Sequence, residues 1–166
     1  MNKSSRAVLG AALLAVSSLA AAASAVVTVD AKANSIAGGT AADAFLLDAG
    51  DTFSITASGT WQNDPNNSYQ SGPDGHADQT FSVGGQTFDI GTLIGEIGDG
   101  TFFKVGSSYA GSTATGGELK LFYWDSDAFN NSGSVIADVS AVPEPTNVAL
   151  LAVALGAFAL TRRRKA

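Results

Sequence analysis

Between Phe122 and Gly133 the chain reads Phe122-Tyr123-Trp124-Asp125-Ser126-Asp127-Ala128-Phe129-Asn130-Asn131-Ser132-Gly133, which sets two carboxylates and two adjacent amides in a tight turn between strand-like runs. Short oxygen-bearing side chains on a turn suit a hard cation, since calcium takes oxygen ligands from carboxylates, amide carbonyls and main-chain carbonyls at about 2.3–2.6 Å. The same residues also read as a solvated hairpin loop whose Asp and Asn satisfy only turn backbone. An EF-hand is excluded. Asp125 and Asp127 stand where its first two acceptors belong, but Phe129, Asn130 and Ile136 occupy the places of the third acceptor, the turn glycine and the closing glutamate.

A second cluster, Gly72-Pro73-Asp74-Gly75-His76-Ala77-Asp78-Gln79, delivers His, Asp and Gln within four residues before a strand-like run. Planar hydrogen-bonding groups on a rigid rim are what recognises sugar hydroxyls. Taken singly, His76 reads as a surface or rim histidine before it reads as a functional one. It is the only histidine, and cysteine is absent. Multi-histidine zinc sites, thiolate metal sites, disulfides and cysteine nucleophiles are therefore excluded. His76 has no evident nucleophile partner, and the expectation is a binding protein and not an enzyme.

Short alternating runs must position these clusters. Val26 to Asp30, Phe45 to Leu47, Thr52 to Ala57, Thr80 to Val83, Gln86 to Ile90, Thr101 to Val105, Glu118 to Trp124 and Ser134 to Val139 have strand character, with turn signals at Asp48-Ala49-Gly50-Asp51, Gly84-Gly85, Gly98-Asp99-Gly100 and Gly116-Gly117. Phe53, Ile55 and Ala57 alternate with Thr52, Ser54 and Thr56, and Leu119, Leu121 and Tyr123 alternate with Glu118, Lys120 and Phe122. One apolar face per strand implies sheets packed on one side. The expected fold is all-β, a small jelly-roll-type β-sandwich, flanked by an N-terminal signal helix and a C-terminal transmembrane helix.

The flanks carry addresses. Lys3 and Arg6 precede an apolar stretch from Ala7 to Ala23 that ends at Ala23-Ser24-Ala25, the order of a secretory signal peptide. At the other end Val142-Pro143-Glu144-Pro145 precedes the apolar run Val148 to Leu160 and the cluster Arg162-Arg163-Arg164-Lys165. That run is short of the ~20 residues that span a bilayer comfortably, although a basic cluster can hold its end at the inner face. Motif, spacer, short apolar helix and arginine cluster together resemble the PEP-CTERM sorting signal. The resemblance implies export, transient inner-membrane anchoring, recognition by an exosortase-type transpeptidase and release to the cell surface or extracellular polymer. The expected division is residues 1–25 as signal peptide, 26–141 as one domain and 142–166 as sorting signal. Within 26–141, Lys32, Lys104 and Lys120 face fourteen carboxylates, a net charge of −11. Such a surface excludes nucleic acid as a partner and suits cations.

The two polar clusters together resemble the PA-IL-like family of calcium-dependent galactophilic lectins. The matching strings are His76-Ala77-Asp78-Gln79, Tyr123-Trp124-Asp125 and Asn130-Asn131-Ser132-Gly133-Ser134, with Asp48-Ala49-Gly50-Asp51, Gly59-Thr60-Trp61 and Gly72-Pro73 in consistent order. The resemblance implies Asp125, Asn130 and Asn131 as side-chain calcium ligands. Main-chain ligands would come from Asn63 or Asp64 and from Asp127 or Ala128, because the family's tyrosine has no clear counterpart and the loop from Asp125 to Asn130 is two residues shorter. It also implies sugar contacts from His76, Gln79, Asp125 and Asn130. A galactose-type glycan or exopolysaccharide is the expected partner. Single sites of this kind bind weakly, and a homo-oligomer on one polymer would supply avidity. The alternative is a structural matrix protein whose sandwich is calcium-stabilised and binds no sugar.

Overall fold

The computed structural model describes residues 22–64, 70–99 and 101–142. Residues 1–21 of the expected signal peptide, Pro143, Glu144, Pro145 and the membrane helix expected from sequence lie outside the described residues, whereas Ala23, Ser24 and Ala25, expected as the cleavage site, are strand and pair with Ala141, Ser140 and Val139. Among the described residues no helix is long and apolar enough to cross a membrane.

Eleven strands are present: β1 (Ala23–Asp30), β2 (Ala42–Leu47), β3 (Thr52–Gln62), β4 (Gln70–Ser71), β5 (Thr80–Val83), β6 (Gln86–Asp89), β7 (Leu93–Ile97), β8 (Phe103–Lys104), β9 (Ser108–Ser112), β10 (Gly117–Tyr123) and β11 (Ser132–Val142). One sheet has the order β1-β11-β3-β4 with β9 also beside β3, a second has the order β2-β10-β7-β8, and β5-β6 is a separate hairpin. The two larger sheets form a β-sandwich. Val27, Val29, Phe53, Ile55, Trp61, Val135, Ala137 and Val139 of the first sheet share one buried cluster with Leu47, Leu93, Leu119, Leu121 and Tyr123 of the second. Alternation dictates this outcome: every second residue of β11 from Val135 to Ala141 is buried and those between are exposed.

β1 begins at Ala23, where it pairs with Ala141, and runs antiparallel to β11 as far as Asp30 opposite Ser134. β3 pairs with β11 from Thr52 opposite Val142 to Gln62 opposite Ser132. The β3 to β11 ladder thus ends where the Asp125 loop rejoins the sheet.

The second sheet corrects the expectation of one apolar face per strand. Phe122, placed by alternation on the polar side of β10, is buried with Ile94 and Trp124 in a second cluster against Ile36, Ala41, Phe81, Phe88 and Phe102. The β5-β6 hairpin covers this outer face: Trp124 meets Phe88 edge-on at 5.0 Å, and its indole Nε1 donates to the Phe81 carbonyl at 2.9 Å. Coverage on both faces also explains why β7 escapes a search for alternation. Its Leu93, Ile94 and Gly95 are consecutive and all buried. β9, Ser-Tyr-Ala-Gly-Ser, carries too little apolar character to declare itself, and the run Thr101 to Val105 contributes only Phe103–Lys104 as strand.

Phe88→Ala is expected to cost about 2 kcal/mol, since Phe88 is half-buried and truncation of a fully buried ring costs more. Native-state hydrogen exchange should show faster exchange for the Thr80–Asp89 amides while the β1 to β11 amides keep their protection.

Candidate functional site

Asp125 leaves β10 directly after two buried aromatic residues. Tyr123 lies in the main core, edge-on to Trp61 at 4.5 Å, and Trp124 lies in the outer cluster. With rings fixed on opposite faces of the sheet, the next residue has little freedom, and Asp125 is held only 4% exposed. The Ser126 amide donates to Asp125 Oδ1 at 2.6 Å. Burial pushes the Asp125 carboxyl above the usual aspartate range. Bonds from the Ser126 amide, the Asn131 side chain and the Asp127 amide draw it partly back, and the nearby Asp127 charge adds to the rise. Desolvation, and secondarily the Asp125 charge, also pushes the Tyr123 phenol well above its ordinary value.

Asn131 is 5% exposed, and its Nδ2 donates to the Ala31 carbonyl at 3.1 Å. A carbonyl only accepts, so this bond fixes which end of the amide is nitrogen and turns Oδ1 the other way. That oxygen is buried without a hydrogen-bond donor, as are the side-chain oxygens of Asn130 and Asn63. Asn63 follows the last β3 to β11 pair, Gln62 opposite Ser132, and therefore emerges beside Asn131. One buried carboxylate and three donor-less amide oxygens collect where β3 ends, β10 ends and β11 begins. A buried acceptor left unmet costs about 1–3 kcal/mol, so a group of them is an arrangement that asks for a positive charge.

Gly133 makes the re-entry possible. Its φ is +84°, and a Cβ there would stand 2.8 Å from the Thr60 carbonyl oxygen. Its own carbonyl accepts the Ala31 amide at 3.0 Å, which ties the Asn131 partner to the strand behind the loop.

The His76 turn is brought to the same end by backbone bonds. The His76 amide donates to the Ile90 carbonyl at 2.8 Å, the Ile90 amide donates to the Gln79 carbonyl at 2.7 Å, and the next amide, that of Gly91, donates to the Trp124 carbonyl at 2.9 Å. Asp74 braces this stretch: Thr92 Oγ1 donates to its carbonyl at 3.2 Å, and its carboxylate accepts the Ser107 amide at 2.9 Å. His76 and Gln79 are half-buried.

The remaining expected residues are less involved. Asp127 is exposed and accepts the Phe129 amide on its carboxylate at 2.8 Å, and the Ala128 carbonyl accepts the Asn131 amide at 3.4 Å. Asp64 is half-buried beside Asn63. Val142 is the exposed last residue of β11, paired with Thr52. The Asp48 to Asp51 turn closes on itself, since Asp51 Oδ2 accepts the Asp48 amide at 2.8 Å.

No family model matches the sequence, and no curated protein matches it. Among solved structures, one titled "EclA N-terminal domain; PllA-like lectin" is 28% identical, covering 71% of this chain and 94% of that one, with a TM-score of 0.49. A superposition that loose establishes neither a shared fold nor a shared activity.

Among the described residues no three His, Cys, Asp or Glu side chains gather as a metal site. The donors that do gather are a single carboxylate and amide oxygens, which suit a hard oxygen-seeking cation and are wrong for zinc or copper. Sequence reasoning missed two residues that shape this end, Ala31 and Gly91. Both act through backbone groups and leave no signal in side-chain type.

Proposed function

We propose that this domain binds carbohydrate through a calcium ion held by the Asp125 loop, as an exported galactose-type lectin of the cell surface or extracellular polymer. The observation that carries this reading is the convergence of the buried Asp125 carboxylate with the donor-less oxygens of Asn63, Asn130 and Asn131. Asp125, Asn130 and Asn131 would hold the ion through side-chain oxygens, with Asn63 or Asp64 and Asp127 or Ala128 completing the shell. Calcium bound there would offer coordination positions to two adjacent sugar hydroxyls. The chain's own residues would do the rest: His76 and Gln79 bond a further hydroxyl, and Asp125 accepts from a hydroxyl on the metal. Because calcium there would take a pair of adjacent sugar hydroxyls among its oxygen ligands, ring stereochemistry would decide which sugar binds. Millimolar calcium outside a cell would fill even a weak site.

The alternation of β1, β2 and β3 between the two sheets favours the jelly-roll form of the sandwich. Export, the signal peptide, transient anchoring in the inner membrane and exosortase recognition at Val142 to Pro145 rest on the sequence signals.

Retention of the full chain on immobilised galactose in calcium, abolished by a chelator, is the expected result. Retention that survives chelation contradicts it, and calcium-dependent melting without retention would indicate a matrix scaffold instead. His76→Ala should weaken galactose binding about tenfold, the loss expected for one or two hydrogen bonds, while calcium affinity is unchanged. Calorimetry with each ligand separates the two effects.

A further inference from the structure

Phe129 is 83% exposed, although it adjoins Asn130 on the loop that carries the candidate ligands. Its backbone is constrained by the bond to Asp127 Oδ1, so the ring is presented from a shaped turn. Over that ring, 5.7 Å from its centroid, stands Lys32 Nζ. Lys32 follows Ala31, whose amide is bound to Gly133 and whose carbonyl holds Asn131. Phe129 and Lys32 are therefore both anchored to the framework of the candidate site.

The charges single out Lys32. Lys104 pairs with Asp89 at 3.6 Å, and Lys120 pairs with Glu96 at 3.7 Å and Asp99 at 3.5 Å. Lys32 forms no ion pair among the described residues, in a domain of net charge −11. An exposed aromatic ring with one face left open offers a surface for the apolar C–H face of a pyranose, and an ammonium over the ring offers an anion partner. A uronic acid carries both complements on one ring.

We propose that Phe129 and Lys32 form a second subsite, which takes a uronic acid residue linked to the metal-bound sugar. This rests on the carbohydrate reading above. The domain would thereby prefer an acidic polysaccharide despite its own negative charge, because its unpaired ammonium stands beside the site. The Phe129 ring would stack on the sugar, and the Lys32 ammonium would receive the carboxylate.

The test is calorimetry of the full chain in calcium with three probes: galactose, lactose, and lactose whose glucose C6 has been oxidised to the carboxylate. The oxidised disaccharide should bind about tenfold tighter than lactose at low salt, with the difference shrinking as salt is raised. Lys32→Gln should erase the difference between the disaccharides. Phe129→Ala should weaken both and leave galactose unchanged. Equal affinity for all three probes in the wild-type chain, or a uronate preference that survives Lys32→Gln, overturns the subsite while the galactose site stands. Absence of calcium-dependent galactose binding overturns the underlying reading and the subsite with it.

Discussion

In chelator at neutral pH, Asp125→Asn is expected to melt at a higher temperature than the wild-type chain, and in saturating calcium the order should reverse. The first half follows from the direction of the Asp125 shift. Burial raises its carboxyl above the unfolded value, so folding favours the protonated form. The stability linked to that proton is complete below the unfolded pKa and is lost as pH rises through the higher folded one. At neutral pH without metal, the buried charge is therefore a net cost. Asparagine keeps the size and the oxygen that accepts the Ser126 amide while removing the charge. The second half follows from mass action. Calcium at about a hundred times its dissociation constant stabilises the folded chain by about 2.7 kcal/mol, roughly 10 °C for a domain of this size. The variant should gain almost none of this. Scanning calorimetry with and without calcium, repeated at acid pH where the chelator-state difference should vanish, checks each half separately.

Trp61→Ala should be the most destabilising single change near the site. Trp61 is fully buried, meets Tyr123 edge-on, and donates from Nε1 to the Gly91 carbonyl at 2.7 Å. Truncation of such a ring costs about 3–5 kcal/mol, and the stranded Gly91 carbonyl adds about 1–3 kcal/mol. Against a total of about 5–15 kcal/mol for a domain, that is enough to leave the chain largely unfolded on warming. Trp61→Phe separates the terms, because it keeps most of the packing and loses the bond. It should stay folded, lower the urea midpoint, and weaken galactose more than calcium. The reason is that Gly91 links Trp61 to the Ile90 and Trp124 backbone on which the His76 turn hangs, whereas Asp125 and Asn131 are held by Ser126 and Ala31. Equal weakening of both ligands would count against that division.

The strands that alternate clearly were legible from sequence, whereas β7 and β9, which do not announce a single apolar face, were hidden. Phe53 and Ile55 on β3 and Leu119 and Leu121 on β10 announce one buried face, and the sandwich follows from them. β7 was invisible because Leu93, Ile94 and Gly95 are covered on both sides, and Phe122 was misplaced for the same reason: the β5-β6 hairpin supplies a second apolar layer that a period of two cannot foresee.

At the candidate site, the oxygen-rich residue types of Asp125, Asn130 and Asn131 were readable in the loop. Their burial was not, since nothing local says that Ala31 will fix the Asn131 amide or that Asn63 will emerge opposite it. The link between the His76 turn and the Asp125 loop passes through the Ile90, Gly91 and Trp124 backbone, which no side-chain pattern encodes.

The central claim, that the Asp125 loop holds calcium, is tested most directly by calorimetric titration of calcium into the chelator-stripped full chain. A single site per wild-type chain and none in Asp125→Ala is the expected result. Wild-type calcium affinity in Asp125→Ala would contradict it.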